Sequence, residues 1–195
     1  LKAHVADAAA RGTHLLDAPV SGSVALAESG RLTLMVGGDA ADLERARPVL
    51  EALGAAVFHL GPLGTGAAMK LAVNTVVFGL NEALAEGLIL AEAAGIDRAR
   101  AYDVLAVSAV GAPYVAYKRD AFLDPDGTPV AFALELAAKD LRLIAGLAAA
   151  VGVELPQAET NLDVIRATAD AVGGDRDFTT VADQLRGGRK EDASG

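Results

Sequence analysis

The spacing of apolar and polar positions changes near residue 62. Before it, short apolar runs alternate with turn residues. After it, apolar residues recur every three to four positions through most of the chain. Residues 1–11 carry the helical spacing and stop at Gly12. His14–Ala18 (HLLDA) predicts a strand running into Pro19, and Val20-Ser21-Gly22-Ser23 a loop. Leu32–Val36 (LTLMV) predicts a second strand, closed by Gly37-Gly38. Asp39 suits the N-cap of a helix from Ala40 to Leu53, because its carboxylate can accept from the first free N–H groups. Gly54 ends that helix, and Ala56–Leu60 (AVFHL) predicts a third strand broken by Gly61-Pro62. One helical pattern without proline then runs from Ala67 to Ala94. Further helices are expected over Asp97–Ala106, Ala131–Val151, Gln157–Ala171 and Val181–Leu185. Asp124-Pro125-Asp126-Gly127-Thr128-Pro129 reads as a loop.

These elements predict an α/β part over residues 1–62, an all-α part over 63–187 built on one long helix, and a polar, disordered tail over 188–195. The whole is mostly helical. Three short strands and two helices leave a sheet with an open edge, and α/β layers normally carry more strands. The chain also opens in mid-helix with Leu1, so a preceding segment is expected to be missing.

Composition narrows the function classes. With 52% hydrophobic and 22% charged residues, the chain falls among soluble globular proteins. A net charge of −9 repels phosphate backbones, so no nucleic-acid partner is expected. The absence of cysteine excludes disulfides and thiolate metal sites and fits a reducing cytosol, hence a cytoplasmic location. The longest apolar run, Leu143–Val153, is too short to span a bilayer, and no membrane association is expected.

Several residues could carry chemistry. Lys70 and Asn74 lie four apart on the long helix, and Asn81 returns to within about 20° of the same direction at about 100° per residue. Such a stripe either lines a site or combines a lysine reaching to solvent with two satisfied core asparagines; spacing alone favours the second. Ser21-Gly22-Ser23 follows a strand, and its N–H groups and hydroxyls could hold a carboxylate or phosphate, though taken by itself the segment is better read as a plain turn. Lys139 interrupts the stripe Phe132, Leu136, Leu143; it either reaches solvent or meets an anion. Gly64-Thr65-Gly66 resembles half of a dinucleotide fingerprint. Met69 stands where a third glycine belongs and no second strand follows, so the glycines are expected to serve close packing. His4, His14 and His59 have no ligand spacing, and no metal is expected. Glu82 and Glu86 read as a solvated helix face.

The order of these segments is more specific than any one of them. Asp17-Ala18-Pro19-Val20-Ser21-Gly22-Ser23 with Leu32–Gly38, then Gly61–Gly66 with Lys70, Leu71 and Asn74, then Phe132–Leu136 with Lys139, Asp140 and Leu141, and finally Asp177–Val181, resemble the successive motifs of the β-hydroxyacid dehydrogenases, the 3-hydroxyisobutyrate dehydrogenase family within the 6-phosphogluconate dehydrogenase-like group. The resemblance implies the C-terminal part of a Rossmann-type NAD(P)-binding domain followed by a helical domain. It implies that Ser21, Gly22 and Ser23 bind the substrate carboxylate, that Lys70 is the general acid or base, and that Asn74 orients the substrate oxygen. Lys139, with Phe132 nearby, would face the nicotinamide end of NAD or NADP, and Ser108 and Gly111 would lie near the substrate. A small β-hydroxyacid or semialdehyde is the implied substrate, and a homodimer or higher homo-oligomer the implied assembly. The family's opening strand and phosphate loop are absent, so the chain alone is expected to be a poor or inactive dehydrogenase. A non-catalytic helical dimerisation module, or an imine or carbonyl reductase of the same fold, are the alternatives.

Overall fold

A computed structural model describes residues 2–188. The chain divides into two compact units, one ending at Val73 and the other beginning at Asn74. The first contains α1 (Lys2–Ala10), β1 (Leu16–Asp17), β2 (Val20–Ser21), α2 (Val24–Glu28), β3 (Leu32–Gly38), α3 (Ala40–Leu53), β4 (Gly54–His59) and the opening turns of α4 (Thr65–Ala93).

β1 and β2 are two halves of one strand antiparallel to β3. A single register runs through both, from Leu16 opposite Gly38 to Ser21 opposite Thr33. The interruption falls at Pro19, which has no N–H to give. Its carbonyl still accepts from the Met35 N–H at 3.0 Å. Val20-Ser21, expected as loop, is therefore strand. β3 also runs through Gly37 and Gly38 instead of stopping before them. β3 and β4 are parallel, which requires a crossover, and α3 supplies it. Asp39 caps α3 as expected, accepting from the Ala41 N–H at 2.8 Å. Leu34 and Val36 pack on Leu43 and Leu50 of α3, so the alternation along β3 sends Thr33 and Met35 to the opposite face.

Asp17 fixes where α4 starts. Its Oδ1 accepts from the Gly64 N–H and its Oδ2 from the Ala67 N–H, both at 2.6 Å. Those amides lie at a helix start, where N–H groups have no helical partner and a carboxylate is favoured by the helix dipole. The approach is close enough to demand glycine. A Cβ on Gly66 would stand 2.2 Å from the Met35 carbonyl oxygen, and one on Gly37 2.4 Å from Asp17 Oδ1. The glycines around residue 64 thus serve packing, as the sequence suggested.

The second unit holds the rest of α4, then α5 (Arg98–Val107), α6 (Pro113–Tyr117), α7 (Arg119–Leu123), α8 (Leu134–Val151), α9 (Pro156–Val172), a 3-10 turn (Phe178–Thr180) and α10 (Val181–Gly187). α2, α6 and α7, each five residues long, were not foreseen, being too short to display a period. α8 buries Leu134, Ala137, Leu141, Ile144 and Ala148 and stops at Gly152 in the left-handed conformation. The stripe Leu136, Lys139, Leu143 lies on its exposed side. The tail from residue 189 onward lies outside the described residues.

α8 begins at Leu134, three residues later than its spacing suggests, because the chain leading into it is held extended by antiparallel pairing of residues 132–134 with 176–178, Ala133 opposite Asp177. Asp177 also takes the amides just before. Its Oδ2 accepts from the N–H groups of Ala131 and Phe132 at 3.0 and 3.1 Å. Its Oδ1 accepts from the Thr179 N–H and hydroxyl at 3.1 and 3.0 Å. Both oxygens lie 2.8 Å from Lys118 Nζ, and both side chains are buried. Burial alone would raise the Asp177 pKa, but Lys118 and the N–H groups of Thr179 and Phe132 outweigh it and hold the carboxyl below its usual range. Burial lowers the Lys118 pKa, with Asp177 opposing. Phe178 and Phe132 pack edge-on beside this pair, with ring centroids 5.5 Å apart.

Replacing Lys118 with methionine leaves a buried carboxylate without its counter-charge. Lys118→Met is expected to cost roughly 3–5 kcal/mol of stability, read as a lowered midpoint of urea unfolding. A loss under about 1 kcal/mol, the size of a surface pair, would show that the pair does not hold the unit together.

Candidate functional site

The first unit presents the serine loop and the lysine. Ser21 ends β2, opposite Thr33. Gly22 has a φ of 150°, and a Cβ there would meet Leu32 Cδ2 at 2.7 Å, so only glycine fits this bend. Ser23 caps α2, its Oγ accepting from the Leu26 N–H at 3.4 Å. Ser21 also lines a cavity of about 280 Å³ whose other walls are Thr33, Met35, Phe58, Leu60, Met69 and Val73. Lys70 follows Met69 on α4 and is half-buried.

The second unit presents the asparagine and the second lysine. Asn74 is buried on α4, and its Nδ2 donates to Asp140 Oδ2 at 2.9 Å. Lys139 Nζ stands 2.9 Å from Asp140 Oδ1 and is largely exposed. Asn74 and Lys139 thus converge on Asp140. Phe132 packs in the aromatic cluster with Phe78 and Phe178. Ser108 donates its hydroxyl to the Leu105 carbonyl at 2.9 Å. Gly111 bends where a Cβ would stand 2.3 Å from the Ala106 carbonyl oxygen. Asn81, the third member of the polar stripe, is a satisfied core residue. It donates to the Phe178 carbonyl at 3.2 Å and accepts from the Tyr114 hydroxyl at 2.7 Å.

Comparison with known proteins decides what these residues belong to. Residues 64–185 match the family model described as the NAD-binding domain of NADP-dependent 3-hydroxyisobutyrate dehydrogenase, and residues 2–61 match that of the NAD-binding domain of 6-phosphogluconate dehydrogenase. The chain belongs to the β-hydroxyacid dehydrogenase family. The cofactor of that family is NAD or NADP. A glyoxylate/succinic semialdehyde reductase of Arabidopsis thaliana is 34% identical over 93% of the chain and 51% of its own length. An NAD-dependent L-serine dehydrogenase of Pseudomonas aeruginosa is 36% identical over 92% of the chain and 62% of its length. The crystal structure of 3-hydroxyisobutyrate dehydrogenase from Salmonella typhimurium superposes with a TM-score of 0.86 at 31% identity, covering 93% of this chain and 64% of that one. The chain therefore spans between about half and two thirds of the length of these relatives. Its fold is the C-terminal part of a Rossmann-type domain followed by a helical domain, as its motifs implied.

Within this family the Gly64–Ala67 segment is not a cradle for the cofactor's pyrophosphate. Its amides at Gly64 and Ala67 are engaged by Asp17, and a carboxylate there repels a phosphate. Among the described residues no group of three His, Asp or Glu side chains could hold a metal ion. Among the described residues no helix is long and apolar enough to cross a membrane. The sequence reading missed the pairing of Asn74 with Asp140; its one signal is a buried asparagine that needs a partner.

Glu82 requires a correction. It was expected on a solvated face with Glu86, yet only Glu86 is exposed; Glu82 is 6% exposed. It follows Phe78 by four positions and so shares the buried side of α4 with Phe78, Ala85 and Leu88. Its Oε1 has no hydrogen-bond partner. Burial pushes its pKa up to about 8, against the lowering effect of a hydrogen bond with Asn81 and with a smaller rise from the charge of Glu86. A folded pKa above the unfolded value of 4.5 means that the folded state holds the proton more tightly. This contribution to stability is complete below pH 4.5 and is lost as pH rises through about 8. Glu82→Gln is expected to match the native chain in acid and to exceed its stability by on the order of 2–4 kcal/mol above the folded pKa. Urea unfolding of both chains across pH checks this; curves that stay parallel would mean that Glu82 does not hold a proton.

Proposed function

We propose that the chain is the substrate-handling part of an NAD(P)-dependent oxidoreductase that interconverts a small β-hydroxyacid and its semialdehyde or keto form. The observation that carries this reading is Asn74. It is a buried asparagine, one helical turn after Lys70, whose amide is held by a carboxylate from the motif that contains Lys139. A core asparagine needs no such partner when, like Asn81, it is satisfied by backbone and tyrosine.

The roles follow from the chemistry of each group. N–H groups and hydroxyls at Ser21, Gly22 and Ser23 donate to the substrate carboxylate, which only accepts. Oxidation of an alcohol moves a proton at its oxygen, and Lys70 takes that proton in one direction and returns it in the other. Asn74 aligns the reacting oxygen, which fixes the geometry of attack. When bound, NAD(P) supplies the hydride acceptor or donor, and Lys139 with Phe132 belongs to the wall facing its nicotinamide end. The homo-oligomer expected from the family is part of the same reading.

Lys70→Ala decides between this and a non-catalytic role. The native chain is expected to oxidise a small β-hydroxyacid slowly at high NAD or NADP concentration. Lys70→Ala is expected to lower that rate by about 100-fold or more while substrate binding, followed by ligand-observed NMR, persists. Undiminished turnover in the variant would remove Lys70 from the chemistry. No turnover in the native chain across a panel of hydroxyacids, together with no binding of NADH, would favour the non-catalytic reading.

A further inference from the structure

We infer that Asp140 is a positioning residue that sets the direction of the Asn74 amide, so that Asn74 presents its carbonyl oxygen, not its NH₂, on the side away from α8. The inference rests on the oxidoreductase reading above for its purpose and on geometry alone for its substance.

The argument starts from what each group can do. An ionised carboxylate has no hydrogen to give, so it can only accept. An asparagine amide has a donor end and an acceptor end that differ little in shape, so a neighbour must decide between them. Asp140 Oδ2 stands 2.9 Å from Asn74 Nδ2, and Asn74 is 8% exposed. Turning the amide over would bring two oxygens together at that distance, with a buried NH₂ left over. The carboxylate is itself fixed from a second direction: Lys139 Nζ lies 2.9 Å from Oδ1, so the two oxygens of Asp140 have separate partners. The side chain of Asp140 is 14% exposed, which keeps water from competing for it, whereas Lys139 is 55% exposed and its pairing is the weaker of the two.

The outward Oδ1 of Asn74 is then an acceptor. It suits a partner that carries hydrogen, such as the hydroxyl of an alcohol or an ammonium. It does not suit a bare carbonyl oxygen, which a freely turning amide would meet equally well with its NH₂. Asp140 in this way biases the site toward the hydroxyl form of the substrate without touching it.

The test needs no turnover for its first arm. In amide-labelled samples of the full chain, the side-chain NH₂ signals of Asn74 are identified by their loss in Asn74→Ala. In the native chain these protons exchange slowly with water. Asp140→Ala is expected to speed that exchange by roughly tenfold or more, a loss of one charge-assisted hydrogen bond. Asp140→Asn, whose carbonyl still accepts, is expected to recover part of the protection, with a melting temperature near native in both variants. Unchanged Asn74 signals in Asp140→Ala overturn the inference, as does a change that appears only together with general loss of fold and is not recovered in Asp140→Asn. In the second arm, with hydroxyacid turnover measured, Asp140→Ala lowers kcat by roughly tenfold or more and changes KM by less than about threefold. Loss confined to KM would make Asp140 a binding residue and overturn the positioning role. If the first arm holds while the native chain neither binds NADH nor turns over any hydroxyacid, the oxidoreductase reading fails and the orientation of Asn74 stands.

Discussion

A helix begins with N–H groups that no residue inside the helix can satisfy, and both helices that carry the candidate residues meet this constraint with acceptors from far along the chain. α4 holds Lys70 and Asn74, and its first amides go to Asp17, 47 and 50 residues earlier. α8 holds Lys139 and Asp140; its Leu134 and Glu135 amides donate to the Arg176 and Gly174 carbonyls, both at 2.9 Å, and Asp177 takes the amides of Ala131 and Phe132 just before it. The setting of each helix start is fixed there, because two amides held by acceptors in fixed places leave little freedom of angle. A side chain one or two turns further on inherits that setting. The glycines at 37 and 66 belong to the same device: they remove the side chains that would keep Asp17 from the start of α4.

The two aspartates differ in what surrounds them, and the difference explains their chemistry. Asp177 is deeply buried, so its charge requires full compensation; Lys118 and the neighbouring donors provide it. Asp17 is only half-buried and relies on amides at the positive end of a helix. Glu82 is the contrasting case. It is as buried as Asp177, but no cation faces it and one of its oxygens has no partner. The protein meets the cost of that burial by keeping the proton on, not by pairing the charge. Burial of a carboxyl therefore leads to opposite outcomes in one helical unit, and the presence of a lysine decides which.

Much of this was legible in the sequence where the cause is local. The Asp39 cap, the long proline-free helix and the stop at Gly152 depend on residues within a turn or two of each other, so spacing and residue type suffice. The strand through Pro19 was not legible. Proline normally argues against a strand interior, and only the unbroken register with β3 reveals that its carbonyl still takes part. The burial of Glu82 was hidden for a related reason. A helical wheel gives directions but not what lies in each direction, and Glu82 and Glu86 are neighbours on the wheel with opposite environments. Lys118 and Asp140 act through partners 59 and 66 residues away, distances at which sequence spacing carries no information. The ordered motifs reached further, because they carry the record of a shared fold and not of a local preference.

The handling of backbone amides also separates two tasks that sequence patterns tend to merge. A glycine-rich turn before a helix can hold a phosphate, or it can let a helix sit close to a sheet. Both use the same residues and the same free N–H groups, so a motif alone cannot tell them apart. The deciding quantity is where the N–H groups point. At Gly64 and Ala67 they point at Asp17, and a negative side chain already fills the position that an anion would take. The turn at residues 21–23 is built differently. Ser21 is paired opposite Thr33 in β3, Gly22 makes the bend with its positive φ, and Ser23 is the cap of α2. A small carboxylate is subject to the same condition as a phosphate, since both need donors that no side chain of the protein has already claimed.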